Sequence, residues 1–208
     1  SSAELLQDAD FNMESVYGIQ NKVESLLEEC SRLEKGTIGE LQAEDRWILS
    51  KTQNMILQVT ESVEKMRLRE ALQDILFTFE SDLSWYHKRV QAKGKEDVSG
   101  ILHHINSVRV AMLSPFAPHI AEEMWEKLGY TDLASKSAWP EFSKEKIDAT
   151  SIQSEELLKS TIDDIVNILK ITKITPQKIV IYVNSDEFKS KVYRKILGIM
   201  VGGQNNMG

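Results

Sequence analysis

Apolar side chains recur along this chain with the spacing of one helical face. Between residues 14 and 33 they fall at Val16, Ile19, Val23, Leu26, Leu27, Cys30 and Leu33, with charges between them, which predicts a first amphipathic helix. EKGTIGE then interrupts the pattern with two glycines. A second stripe, from 41 to about 66, runs through Trp47, Ile48, Met55, Ile56, Val59 and Val63. A third, from 67 to about 90, uses Leu68, Ala71, Leu72, Ile75, Leu76, Phe79 and Leu83. AKGKED is small, charged and centred on Gly94, and predicts a turn. A fourth stripe, from 98 to 113, carries Ile101, Leu102, Ile105, Val108 and Met112. Short links between helices place them antiparallel, so an antiparallel helical bundle is expected.

The stretch LSPFAPHIAEEMWEKLG, residues 113–129, turns a corner. A residue preceding proline is pushed out of the helical region, so Ser114 ends the fourth helix. Pro118 suits the first turn of a new helix, where its missing N–H costs nothing. Ile120, Met124 and Leu128 continue an inward stripe, and Gly129 suits the position after the helix. Residues 131–151 are polar, with Trp139-Pro140 in their middle, and read as a long surface connection. A further helix is expected at 154–170 on Leu157, Leu158, Ile162, Ile165, Val166 and Leu169. KIVIYV, residues 178–183, is rich in β-branched residues and reads as the only strand, followed by a last helix capped by Asp186. One strand cannot be a sheet, so its partners are expected in missing chain or in another molecule. SSAELLQDADF lacks an initiator methionine and VGGQNNMG stops just after an apolar helix, so both chain ends are expected to be cuts in a longer protein. The expected organisation is a bundle over 1–130, a connection and helix over 131–173, and the start of an incomplete α/β domain over 174–208. The fold class is therefore mainly α with a small truncated α/β appendage.

Composition narrows the function. With 208 residues and 41% apolar side chains the chain can bury a sizeable core, and its 4 prolines and 10 glycines favour long helices. The net charge is −7, so any contact with nucleic acid must use local basic patches on an acidic body. Cys30 is the single cysteine, which excludes an intrachain disulfide and suits a reducing, cytoplasmic setting. No stretch approaches the length of a membrane span, and no secretory leader is expected.

His119 with Glu122 or Glu123 has the helical spacing of two metal ligands, but no third or fourth ligand is evident, and a hydrogen-bonded structural histidine is the better reading. Trp125 and Pro118 are assigned to structure. No phosphate loop, nucleophile elbow or Cys/His arrangement occurs, so no catalytic centre is expected in this chain. Positive charge concentrates in KMRLRE, with Arg67 and Arg69, and in WYHKRVQAKGK, with Trp85, Lys88, Arg89 and Lys93. The second cluster interleaves aromatic and cationic residues, which suits phosphate contact beside stacking, and equally suits a solvated helix end. DRWILSK adds Arg46, while its Trp47-Ile48 pair is expected in the core.

Three stretches occur in order: DRWILSK, FESDLSWYHKRV and LSPFAPHIAEEMWEKLG. Together they resemble the helical bundle that follows the catalytic domain in class I aminoacyl-tRNA synthetases for aliphatic amino acids. SSAELLQDADF is similar to the segment after the KMSKS loop of those enzymes. PFAPHIAEEMW with His119, and the tail TPQKIVIYVNSDEFKSKVYRKIL, resemble the archaeal and eukaryotic-type leucine enzymes. Ser84 and His87 depart from the family, which often has arginine and leucine there. The resemblance implies a non-catalytic piece of an ATP-dependent leucine–tRNA ligase. Its partners would be tRNA, in particular leucine tRNA, and the catalytic domain of the same polypeptide, with neither DNA nor membrane. No cofactor is implied for this chain, ATP and Mg belonging to the full enzyme. The implied tRNA contacts are Arg46, Arg67, Arg69, Lys88, Arg89 and Lys93, with Trp85 in support. Replacing Arg89 by alanine is expected to weaken tRNA binding without changing stability. The alternatives are the anticodon-reading bundle of an isoleucine, valine or methionine enzyme, and a helical scaffold for protein partners.

Overall fold

The computed structural model describes residues 13–95 and 97–181, apart from the side chain of Ser15. Over this range the chain forms α1 (Met13–Arg32), α2 (Ala43–Glu64), α3 (Leu68–Gln73), α4 (Phe79–Lys93), α5 (Ser99–Leu113), α6 (Pro118–Lys127) and α7 (Ala149–Thr172). A π-helical turn at Asp74–Thr78 joins α3 to α4, so the third predicted helix is one rod with a wide turn in it. The described residues contain no β-strand. Of the expected strand, residues 178–181 are irregular, because among the described residues no second strand supplies the ladder hydrogen bonds a strand needs. Tyr182, Val183 and the helix expected after Asp186 lie outside the described residues, as does SSAELLQDADF.

The chain divides into two compact units, Ser1–Thr161 and Ile162–Gly208, with the boundary inside α7. In the first unit α2 packs on α3, α4 and α5, while α6 packs on α1 and α5. Trp47, Ile48, Ile75, Tyr86, Ile105 and Met112 are fully buried there, which places the predicted stripes of α2, α4 and α5 inward. Burial of such side chains stabilises by about 1.5–3 kcal/mol each. The α1 stripe is only partly used: Leu26 and Cys30 are buried, whereas Val16 and Ile19 are exposed. In α6, Ala121, Met124, Trp125 and Leu128 are buried, and Ile120, expected inward, is exposed. In the second unit the described residues complete α7 and continue as an irregular segment.

Arg109, without solvent exposure, meets the π turn from α5. Its Nε and Nη2 donate to the Ile75 carbonyl at 3.1 and 3.0 Å, and Nη2 also reaches Glu80 at 2.7 Å. The connection after α6 is pinned along α2 in the opposite chain direction. Trp139 Nε1 donates to Thr60 Oγ1 (2.9 Å), Ser143 N–H to Gln53 Oε1 (2.8 Å) and Asp148 N–H to Ser50 Oγ (2.9 Å).

At the proline corner, Pro118 opens α6 and Gly129 follows it at φ +84°, as the spacing predicts. The Glu122 carboxylate accepts the N–H groups of Ala134 and Ser135 at 2.7 and 3.0 Å, so it seats the next turn. Trp125 stacks on Tyr130 at 3.9 Å and is structural. His119 is not the hydrogen-bonded histidine: it is exposed on the outer face of α6, with no partner among the described residues. That role belongs to His103, whose Nε2 lies 2.8 Å from the Leu128 carbonyl oxygen.

Candidate nucleic-acid interface

The site forms where α2 begins, α4 ends and α7 begins. Glu44 and Asp45 occupy the first turn of α2, where carboxylates face the positive end of the helix, and both are fully buried. Asp45 accepts the Gln42 N–H at 2.8 Å and the Tyr86 hydroxyl at 2.7 Å. Gly94 takes the left-handed conformation at φ +64° and ends α4, which turns Lys95 back toward α2. Lys93 then pairs with Glu44 and Lys95 with Asp45, each at 2.5 Å. Burial alone would raise the Asp45 pKa, but the bonds from Lys95, the Gln42 N–H and Tyr86 hold it below the usual carboxylate range. The Tyr86 hydroxyl is driven up by burial and by the same carboxylate, so it stays protonated.

α7 docks on this end through polar atoms. Asp148 accepts the Ser151 N–H at 3.0 Å and pairs with Arg46 at 3.0 Å. That Ser151 bond is the first cause of its lowered pKa, with Arg46 adding to it. One turn on, Glu155 is almost fully buried and receives Trp85 Nε1 at 2.9 Å and Arg89 Nε at 3.0 Å. Lys159 lies 4.6 Å from the centre of the Trp47 ring and 5.2 Å from that of Trp85. The apolar stripe expected for α7 is not its seat: none of Leu157, Leu158, Ile162, Ile165, Val166 and Leu169 is buried, while Ser151 and Glu155 are.

Arg46, Trp85, Arg89 and Lys93 are therefore brought together. Arg67 and Arg69 lie beyond the other end of α2, whose 22 residues span about 30 Å. Arg67 pairs with Glu70 at 2.7 Å. Lys88 and Arg69 are exposed and, among the described residues, hold no carboxylate. Two cations that the sequence reading passed over behave the same way. Lys144 and Lys146 form a short turn in the connection, are exposed, and have no partner among the described residues. The only sequence signal for them is the local run SKEKID. Arg89 and Glu155 are 66 residues apart, and nothing near either one announces the pair. Among the described residues no three His, Cys, Asp or Glu side chains converge as metal ligands. No helix among them is long and apolar enough to cross a membrane.

The arrangement can offer cations to an RNA backbone from a rigid frame. The family described as the anticodon-binding domain of tRNA ligase matches residues 45–181. The leucine–tRNA ligase of Methanococcoides burtonii is 32% identical over 215 residues, a match that takes in 100% of this chain and 22% of that protein. The leucine–tRNA ligase of Methanosarcina mazei is 33% identical over 213 residues, covering 100% of this chain and 21% of that protein. For the Pyrococcus horikoshii leucine–tRNA ligase the identity is 32% over 196 residues, with 92% and 20% covered. The chain thus spans about a fifth of the length of these relatives. A solved complex, Agrobacterium radiobacter K84 agnB2 LeuRS-tRNA-LeuAMS, aligns with 65% of this chain and 17% of that one at 25% identity, with a TM-score of 0.49. With the family match running from α2 through α7, the chain belongs to the anticodon-binding domains of tRNA ligases.

Proposed function

We propose that this chain is the tRNA-docking bundle of a leucine–tRNA ligase. It holds the body of leucine tRNA while another part of the longer polypeptide, supplied with ATP and Mg, carries out aminoacylation. The observation that carries the reading is that leucine–tRNA ligases match the chain along its whole length while the anticodon-binding family covers α2 to α7. The geometry supports it in a specific way. Lys88, Lys144, Lys146 and Arg69 are exposed and, among the described residues, uncommitted, so they are the phosphate contacts proposed first. Arg46 and Lys93 keep side-chain exposures of 45% and 37% beside their carboxylates and serve as secondary contacts. Arg67 is placed with them, at the far end. Trp85 and Arg89 act mainly by seating α7, and so shape the surface more than they touch RNA.

The test is a titration of the 208-residue chain with leucine tRNA, and with isoleucine tRNA as control, at two salt concentrations. Salt-sensitive binding that prefers leucine tRNA is the expected result. Equal binding to both places the choice of tRNA outside this chain, and no binding at low salt sinks the reading.

A further inference from the structure

The start of α2, residues 38–41 and the turn before α7 enclose a cleft of about 710 Å³, within the range of a small-molecule site. Ile38, Leu41, Leu49 and Ile147 give it apolar walls. Gln53 stands in the wall and is only 4% exposed. Its Oε1 accepts the Ser143 N–H at 2.8 Å, which leaves Nε2 without a partner among the described residues. That nitrogen is not among the buried unpaired atoms of the described residues, so it meets solvent in the cleft, where an acceptor on a ligand can take the place of water. The rim is cationic on one side. Lys146 is exposed and, among the described residues, unpaired, and Arg46 is held there by Asp148 and by the Leu41 carbonyl. Glu145 is the acidic member of the lining, while the Asp148 charge is already taken by Arg46 and the first turn of α7. His104 completes the lining. Desolvation first, then the Lys146 and His103 charges, lower its pKa, so at neutral pH it offers an uncharged ring.

These features select a ligand class. Apolar walls and a ring suit a flat, partly apolar group, a lone amide donor suits an acceptor on its edge, and lysine at the mouth suits an attached anion. A nucleotide has all three. A base stacked in duplex RNA cannot enter, so the nucleotide must be unstacked. We infer that this cleft receives one unstacked nucleotide of the docked RNA, with its base between Ile38, Leu49, Ile147 and His104, an acceptor of the base on Gln53 Nε2, and its phosphate on Lys146. The inference rests on the tRNA-docking reading above.

Methyl-resolved NMR of the isoleucine- and leucine-labelled chain tests it, with three titrants: leucine tRNA, a single-stranded RNA hexanucleotide, and AMP. Expected are shifts of the Ile38, Leu49 and Ile147 methyls with tRNA and with the hexanucleotide. Lys146→Glu, a surface change, is expected to weaken hexanucleotide binding roughly tenfold. Gln53→Glu, which keeps the acceptor for Ser143 and removes the donor, is expected to do the same. If tRNA binds while these methyls stay still, or if both variants bind the hexanucleotide as before, the cleft proposal is overturned and the docking reading stands. AMP shifting the methyls as tightly as the hexanucleotide overturns it in favour of a free-nucleotide site. Failure of tRNA to bind at all overturns both.

Discussion

The Arg89 guanidinium grips the Glu155 carboxylate through two nitrogens, Nε at 3.0 Å from Oε2 and Nη2 at 3.1 Å from Oε1, across 66 residues of sequence. A patch that reads as a docking surface in the sequence is a clasp for α7 in the fold. Arg89→Ala is therefore expected to lower stability as well as tRNA affinity. The Glu155 side chain is 4% exposed and that of Arg89 is 23%, so the cost is about 1–3 kcal/mol, chiefly from leaving the carboxylate without its cation. Urea unfolding measures it, and an unchanged midpoint would show that α7 is held some other way.

Lys88 gives the contrasting variant. It sits one residue before Arg89 on the exposed face of α4, with no partner among the described residues. Lys88→Glu is expected to change stability by no more than about 0.5 kcal/mol. Its affinity for leucine tRNA should fall severalfold. Unaltered affinity in a titration would remove Lys88 from the interface.

Acid should weaken the fold through one buried carboxylate, Asp45, and one half-buried, Glu80. In Glu80, as in Asp45, burial pulls the pKa up, and cations prevail, here Arg109 and Lys22. Both folded pKa values lie below those of the unfolded chain, which are about 3.9 for Asp and 4.3 for Glu. The stabilisation is thus fully present above those values and is lost as pH falls through the folded ones. Urea midpoints between pH 7 and pH 3 should decline mainly below about pH 4. Asp45→Asn should start less stable and show a shallower decline. An equally steep acid limb in that variant would rule Asp45 out as a contributor.

Cys30 should resist alkylation in the folded chain. Burial, then the neighbouring Glu29 charge, push its thiol up to about 12, so almost no thiolate exists at neutral pH. Labelling by iodoacetamide is expected to track the unfolded fraction across a urea series. Rapid labelling without denaturant would mean that the α1 side of the core opens locally.

Gly100 marks where the link after α1 presses on α5. A Cβ there would lie 2.7 Å from the Thr37 carbonyl oxygen and 3.1 Å from the Ile38 N–H nitrogen. Gly100→Ala should cost about 1–3 kcal/mol by overpacking. It should also displace Ile38, and so the cleft, which thermal unfolding with methyl NMR would detect together.

The helices that surround the core were legible because burial imposes a period on sequence. In α2, Trp47, Ile48, Met55, Ile56 and Val59 lie on one face, and all are buried. The π turn was not legible, since one residue per turn more than the helical repeat leaves Ile75, Leu76 and Phe79 still on a plausible stripe. The seat of α7 escaped for a different reason. Its buried face is Ser151 and Glu155, and polar residues reveal burial only once their partners are known. The two basic clusters lie at opposite ends of α2, and whether a cation in them is free or committed depends on carboxylates distant in sequence, such as Glu155 for Arg89 and Glu44 for Lys93.

The lysine pairs at the start of α2 alter what an incoming phosphate must displace. Lys93 and Lys95 already rest on carboxylates with no exposure, and Arg46, Lys51 and Arg89 also rest on acids of this chain. A phosphate that takes one of these cations exchanges one anion for another and strands a carboxylate, whereas a phosphate meeting Lys88 or Lys146 sheds its own condensed sodium or potassium into solution. The logarithmic slope of affinity against salt should therefore count the uncommitted cations, Arg69 as well as the lysines. That makes it a direct readout of which cations the fold has left for RNA.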